Sequence, residues 1–102
     1  MKVVISVEAE ADMEAIGDYI ARHSPSAAQS LIGELRTRCL DLGLQPRRFP
    51  LVPRYERHGV RRRVHSNYLI FYRIDEQKIV VLHILHGATD YAAMLFPDAT
   101  PD

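Results

Sequence analysis

The apolar residues of the first half of the chain recur at helical spacing. Met13, Ile16 and Ile20 lie three and then four positions apart, which predicts a first helix. Ser24-Pro25 is typical of a helix start, because a serine side chain can cap free backbone amides and proline fits the first turn. A second helix is therefore predicted from there to Gly43, and the very short connection makes the two helices an antiparallel hairpin.

The remaining apolar residues follow the patterns of strands. A β-branched run at residues 2–6 predicts a short N-terminal strand. After a proline-rich loop, three strands are predicted at residues 60–65, 68–74 and 79–85, joined by tight polar turns that indicate an antiparallel meander. The last two strands are apolar at successive positions, as expected for central strands that are covered on both faces.

The predicted fold class is α+β, in the order β-α-α-β-β-β, with a helical hairpin and a small sheet. A chain of 102 residues is long enough for one hydrophobic core, so residues 1–102 are predicted to form a single domain. A short C-terminal helix is expected at residues 91–96, and residues 97–102 are expected to be a frayed tail.

Charge is strongly segregated along a chain whose formal net charge is zero. Residues 1–46 contain four basic and seven acidic residues, residues 47–73 eight and one, and residues 74–102 one and five. The seven arginines of the basic segment that precede residue 64 are Arg47, Arg48, Arg54, Arg57, Arg61, Arg62 and Arg63. The neutral chain therefore contains a basic surface, which predicts an anionic partner.

Three interpretations of the arginine cluster remain open. Charged residues on an edge strand discourage edge-to-edge association, and this role accounts for one or two arginines. The others suit contacts with the phosphates of a nucleic acid or with an acidic segment of a protein partner. Arg61 and Arg63 are predicted to project from one face of the edge strand, whereas Arg62 is expected to reach water near the edge.

The sequence predicts no catalytic residue, no metal and no cofactor. His83 and His86 are expected on opposite faces of a strand, and no further His, Cys or Asp pair has ligand spacing. Cys39 lies on an apolar helical stripe and is predicted to be buried rather than activated. The acidic residues of the first helix, which include Asp12, are interpreted as a solvated face.

The sequence favours a cytoplasmic protein. Its longest apolar run, residues 79–85, is far shorter than a membrane span, so no membrane association is predicted. The N-terminal strand is followed at once by acidic residues, unlike a signal peptide. A single cysteine excludes an intramolecular disulfide and suits a reducing compartment.

The order and spacing of several segments resemble the ParE/RelE superfamily of toxins from bacterial type II toxin–antitoxin systems. The matching segments are Ala11–Ile16, Tyr19–Ala21, Ser24-Pro25, Gly59–Arg62, Tyr68–Arg73, Val81–Gly87 and Asp90-Tyr91. They extend over nearly the whole chain. The resemblance implies a helical hairpin packed on a small, mostly antiparallel sheet.

Within the superfamily, the chain resembles the ParE-like branch. RelE-like toxins cut messenger RNA on the ribosome, which requires acid–base groups and cations around the scissile phosphate. This chain has only two lysines, neither near the arginine cluster, and Thr89 occupies the position before Asp90-Tyr91 where an arginine is common. The resemblance therefore implies a toxin without enzymatic activity that inhibits DNA gyrase, arrests growth and belongs to a plasmid-stabilising type of module.

The resemblance also implies a hetero-oligomer with a ParD-like antitoxin, a ribbon-helix-helix protein with an acidic C-terminal tail. Operator DNA would be contacted only through the antitoxin. The predicted antitoxin-binding residues are Leu31, Leu35, Arg47, Arg48, Arg54, Arg57, Arg61 and Arg63. A disordered acidic tail can wrap such a surface as it folds, and charge attraction would speed its association.

The surface that would meet the toxin's target is predicted on the arginine strand and the C-terminal helix. The predicted target-binding residues are Arg61, Arg63, Tyr91, Met94, Leu95 and Phe96. The core strands are predicted to end near Leu85. Removal of residues 91–102 is therefore expected to reduce toxicity without unfolding the domain.

Two other functions remain open at this stage. The first is a ribosome-dependent mRNA endonuclease that uses Arg61 and Tyr91. The second is a degenerate toxin that only binds its antitoxin and takes part in autoregulation of the shared operon.

Overall fold

The computed structural model describes residues 1–99 and 101 as a helical hairpin packed on one four-stranded sheet. The chain forms, in order, β1 (Lys2–Ile5), α1 (Val7–Ala21), α2 (Pro25–Leu40), β2 (Val60–His65), β3 (Tyr68–Asp75), β4 (Lys78–His86) and α3 (Tyr91–Leu95). Two short 3-10 turns, Asp41–Leu44 and Glu56–His58, lie in the connection between α2 and β2. The predicted α+β class and element order are confirmed.

The strand order in the sheet is β1-β4-β3-β2. β2, β3 and β4 form the predicted antiparallel meander, with β3 and β4 in the centre, and β1 pairs parallel to β4. β1 ends at Ile5, opposite Val81, whereas β4 continues to His86. The register between β3 and β4 shifts at Phe71, a β-bulge that leaves Leu82 without a direct partner. The second half of β4 therefore has an edge that β1 does not cover.

Each face of the sheet carries its own core. On the helix face, the buried residues are Ala9, Met13, Leu35, Cys39, Leu42, Ile70, Tyr72, Ile79, Val81 and Ile84. On the opposite face, the buried residues are Val52, Val60, Leu69, Phe71, Leu85 and Phe96. β3 and β4 supply side chains to both cores, which explains why their sequences are apolar without alternation.

The hairpin begins and turns where the sequence predicts. Ser6 caps α1 by accepting a hydrogen bond from the Ala9 amide at 3.0 Å, and Ser24 caps α2 through the Ala27 amide at 3.2 Å. Pro25 occupies the first turn of α2. These caps satisfy amides that have no partner within a helix, and they fix the short connection between the two helices.

The structure differs from the prediction in the connection between α2 and β2, which is partly paired with the sheet. α2 ends at Leu40, and the loop that follows pairs with the outer edge of β2: the Val52 amide donates to the Val60 carbonyl at 2.8 Å. The edge strand is thus partly covered. At the start of the predicted tail, the Ala99 amide donates to the Phe96 carbonyl at 3.1 Å; Thr100 and Asp102 lie outside the described residues, and the fraying of the tail stays a prediction. Within the described chain, no helix is long and apolar enough to cross a membrane.

Gly43 is packed directly beneath the N-terminus. The Met1 ammonium group donates to the Gly43 carbonyl at 3.1 Å, and a Cβ added at Gly43 would lie 2.2 Å from the Met1 carbonyl oxygen. The Met1 carbonyl is a backbone group and cannot rotate away as a flexible side chain could. We therefore expect Gly43→Ala to lower the free energy of unfolding by about 1–3 kcal/mol in a urea titration.

Gly33 in α2 provides the matched control for this substitution. A Cβ added there meets nothing within 4 Å, so we expect Gly33→Ala to raise the free energy of unfolding by about 0.5–1 kcal/mol. Equal effects of the two substitutions would contradict the close approach of Gly43 to the N-terminus.

Candidate partner-binding surface

Arg61 holds the arginine-rich loop against the helix face of the sheet. Its Nη1 donates to the Phe49 carbonyl at 2.7 Å and to the Arg47 carbonyl at 3.3 Å. Nearby, the Tyr72 hydroxyl donates to the Pro46 carbonyl at 2.7 Å. These bonds satisfy carbonyls of a loop that has no regular secondary structure of its own. The Arg61 guanidinium therefore supports the loop, and its role in partner contact stays a prediction.

Arg63 joins the same face to the end of α2. Its Nη1 donates to the Arg38 carbonyl at 3.0 Å and to the Asp41 carboxylate, and its side chain is only 15% exposed. Its guanidinium also lies 4.7 Å from the centroid of the Phe49 ring. Arg63 therefore links α2, the loop and β2, and its role in partner contact also stays a prediction.

Arg62 lies on the opposite face of β2 and binds the C-terminal helix. Its Nη1 donates to the Tyr91 hydroxyl at 2.9 Å, and the Tyr91 ring packs against Phe71 at a centroid distance of 5.0 Å. The Arg62 side chain is partly buried, and its guanidinium is bonded to α3, a contact that the sequence does not predict. Because Arg61 and Tyr91 contact opposite faces of the sheet, the residue pair of the endonuclease alternative does not share a site.

The exposed basic surface consists of the four remaining arginines of the cluster: Arg47, Arg48, Arg54 and Arg57. All four lie in the connection between α2 and β2. The sequence grouped them with Arg61 and Arg63, but the structure separates the four surface residues from the three residues of β2 that hold the fold together. These four are the arginines of the cluster whose side chains are exposed, so they are the ones best placed to contact an acidic partner directly.

A small cavity lies at the start of this basic surface. It has a volume of about 230 Å³ and is lined by Asp41, Leu44, Gln45, Arg48, Phe49 and Arg63. Two guanidinium groups lie close to the Phe49 ring, that of Arg48 at 5.4 Å from its centroid and that of Arg63 at 4.7 Å. Leu44 at the rim is 82% exposed. The cavity thus combines an apolar wall with positive charge.

The apolar residues predicted for partner contact do not all reach the surface. Leu35 is fully buried under the hairpin, and Phe96 is only 7% exposed in the second core, so neither is the exposed apolar anchor that the sequence predicts. Leu31 and Leu95 are partly buried against the two cores. Met94 remains exposed. Leu35 and Phe96 are removed from the predicted contact set, because the burial of a helix stripe cannot be judged from one element alone.

Asp12 makes a contact that the sequence does not reveal. Its carboxylate accepts hydrogen bonds at 2.9 Å from the Ile84 amide and from Nδ1 of His83. The Ile84 amide lies on the part of β4 that extends beyond β1, so the carboxylate replaces the missing strand partner. Asp12 is therefore a structural link between α1 and β4 rather than part of a solvated face. Its spacing matches that of its acidic neighbours, and no signal in the sequence distinguishes it.

His83 also lines a cleft of about 340 Å³ beside the bulge. The other lining residues are Ser6, Glu8, His58, Val60, Arg73, Leu82, Met94, Leu95 and Phe96. The Ser6 hydroxyl donates to the Leu82 carbonyl at 3.1 Å and accepts from the Ala9 amide, so it is fixed as a helix cap. The nearby Asp12–His83 pair therefore has no serine free to act as a nucleophile.

The described residues show neither a reactive thiol nor a cluster of metal ligands. Burial raises the pKa of the Cys39 thiol to about 12, so the thiol stays protonated near neutral pH and is a poor nucleophile. Within residues 1–99 and 101, no group of three or more His, Cys, Asp or Glu side chains could hold a metal ion. The features that stand out are a basic surface, an adjacent cavity and exposed apolar residues, which suit binding of a macromolecule.

Two solved structures share this fold. The chromosomal ParDE toxin–antitoxin system of P. aeruginosa contains a chain that is 21% identical, with a TM-score of 0.69 over 84% of this chain and 95% of that chain. The RelBE2 toxin–antitoxin complex of Mycobacterium tuberculosis contains a chain that is 22% identical, with a TM-score of 0.62 over 86% of this chain and 92% of that chain. At these identities the likeness establishes the fold alone.

The sequence comparison is more specific than the structural one. None of the curated proteins matches the chain. Residues 3–91 match the family model of the ParE toxin of type II toxin–antitoxin systems, parDE. This match spans α1, α2 and all four strands, and it confirms the resemblance found in the sequence. The chain therefore belongs to the ParE toxin family of type II toxin–antitoxin systems.

Proposed function

We propose that the chain is a toxin that acts by binding DNA gyrase, and that a cognate ParD-like antitoxin holds it inactive in a hetero-oligomer. The observation that carries the proposal is the division of the arginine cluster into internal supports and an exposed basic surface. A surface of this kind recognises an acidic protein segment through charge, without a reacting group.

The distribution of side chains supports binding over RNA cleavage. Cleavage requires an acid, a base and a cation gathered around one phosphate. Arg61 and Tyr91, the residues that would perform this chemistry in the endonuclease alternative, are held on opposite faces of the sheet. Membership in the ParE family supports gyrase as the target in preference to the ribosome.

The proposed antitoxin is a ribbon-helix-helix protein with an acidic tail, which contacts operator DNA on behalf of the complex. Both structural neighbours are toxin–antitoxin complexes, which supports a hetero-oligomeric partner for this chain. The exposed arginines of the loop between α2 and β2 would attract the tail over a distance, and salt would weaken that attraction.

Production of the chain without its antitoxin tests the proposal. We expect growth arrest with DNA breaks and a DNA-damage response while protein synthesis continues, because the bound target would be gyrase. Incorporation of labelled thymidine and labelled methionine, followed separately after induction, distinguishes the two processes. Immediate arrest of translation with intact DNA would contradict the gyrase proposal, and unimpaired growth would point to a degenerate toxin.

A further inference from the structure

We propose that the antitoxin contact is anchored just beyond the C-terminal end of α2, where Leu44, Arg48 and Phe49 line one cavity, with Leu40 four residues before Leu44 and Arg47 next to Arg48 in the chain. We call these five residues the Leu44 patch. The inference rests on the proposed function, and it assigns the contact a location and a chemistry. The occupant is a segment of the antitoxin's acidic tail that places an apolar side chain in the 230 Å³ cavity and a carboxylate beside Arg48.

The first argument is the exposure of two leucines beside the basic loop. Leu44 is 82% exposed and Leu40 is 55% exposed. Apolar side chains that cluster at the surface beside a charged region often mark a site of protein interaction. The sequence placed the apolar contacts at Leu31 and Leu35, but these residues face the core. The exposed leucines lie further along the chain, at the last residue of α2 and in the 3-10 turn that follows.

The second argument is the unbalanced charge of Arg48. Three other arginines that line cavities have a carboxylate nearby: Arg36 binds Glu10, Arg63 binds Asp41 and Arg73 approaches Asp75. In the described residues, Arg48 has no such carboxylate and contacts the Phe49 ring instead. A carboxylate from a partner therefore complements Arg48, whereas Arg63 is already neutralised by Asp41.

The third argument is the fixed shape of the site. The Phe49 carbonyl is held by Arg61 at 2.7 Å and the Pro46 carbonyl by Tyr72 at 2.7 Å, so the backbone around the cavity is fixed on both sides of Arg48. The loop therefore loses little conformational freedom when a partner binds, which favours affinity. The cavity volume of about 230 Å³ is enough for one aliphatic or aromatic side chain.

Binding of the antitoxin tests this inference with two matched pairs of variants. The probe is the protein encoded by the reading frame adjacent to this gene, titrated against the full chain. Leu44→Asp and Arg48→Glu alter the patch, whereas Val7→Asp and Arg22→Glu make the same changes elsewhere. Val7 is also 82% exposed, and Arg22 is an exposed arginine at the end of α1, outside the basic surface. Circular dichroism verifies that each variant is folded.

We expect each patch variant to weaken binding by about 10-fold or more and each control variant by no more than about 3-fold. When the antitoxin is co-expressed, the patch variants should remain toxic, whereas the control variants should be neutralised. Equal losses for Arg48→Glu and Arg22→Glu, with none for Leu44→Asp, would show diffuse charge attraction and overturn the inference. If the unaltered chain does not bind the neighbouring protein at all, the proposed function itself fails.

Discussion

Replacement of Phe96 by alanine is expected to lower the free energy of unfolding by about 3–5 kcal/mol, the usual loss for a buried aromatic residue. The Phe96 ring is only 7% exposed and stacks on Tyr55 with a centroid distance of 4.6 Å. It also belongs to the second core, together with Val60 and Phe71. Urea unfolding followed by circular dichroism measures the effect.

Met94 is the control for Phe96, because it lies in the same helix but is 48% exposed. We expect Met94→Ala to change the free energy of unfolding by less than about 1 kcal/mol. Comparable losses in the two variants would mean that α3 does not pack as the structure shows.

The burial of Phe96 also changes the expected result of a truncation. A chain that ends at residue 90 loses Phe96 and the hydrogen bond between Arg62 and Tyr91, and it exposes the second face of the sheet. The sequence had suggested that residues 91–102 could be removed without unfolding the domain. We now expect such a truncation to destabilise the fold, so its loss of toxicity would not by itself locate the target-binding surface.

Replacement of Arg63 should lower the stability of the fold, whereas replacement of Arg48 should weaken antitoxin binding. Both guanidinium groups nevertheless contact the Phe49 ring. We expect Arg63→Met to lower the free energy of unfolding by about 2–3 kcal/mol, because it removes charge-assisted hydrogen bonds to the Arg38 carbonyl and the Asp41 carboxylate. Asp41 is partly exposed and can recover some hydration, which keeps the loss below that of a fully buried pair.

Arg48→Met is the matched control. The Arg48 side chain is exposed, so its replacement should change stability by less than about 0.5 kcal/mol while weakening antitoxin binding. Thermal or urea unfolding and a binding titration on the same two variants give both readouts. A stable Arg63→Met variant with impaired binding would instead support Arg63 as a contact residue.

The sequence predicts the fold well because its strongest signals are local. The serine caps, Pro25 and the unbroken apolar runs of β3 and β4 each determine an element without reference to the rest of the chain. The parallel pairing of β1 and the early end of that strand at Ile5 depend on distant residues. The sequence wrongly predicts Asp12 to be part of a solvated face for this reason, because its carboxylate binds the edge of β4 that β1 leaves open.

The binding surface is harder to predict, because an arginine side chain does not reveal what it faces. Strand alternation correctly places Arg61 and Arg63 on one face and Arg62 on the other. It does not show that a loop crosses the first face or that α3 covers the second. The path of that loop decides which guanidinium groups become internal, and its irregular sequence has no periodic pattern from which the path could be derived.

The position of Cys39 offers a way to follow the motions of the chain. It is the only cysteine, it is fully buried between the hairpin and the sheet, and its thiol has a pKa of about 12. A thiol reagent can react with it only when the hairpin lifts from the sheet. The rate of labelling in the native protein therefore measures how often this core opens, and slower labelling in the presence of a partner would measure how far that partner closes it.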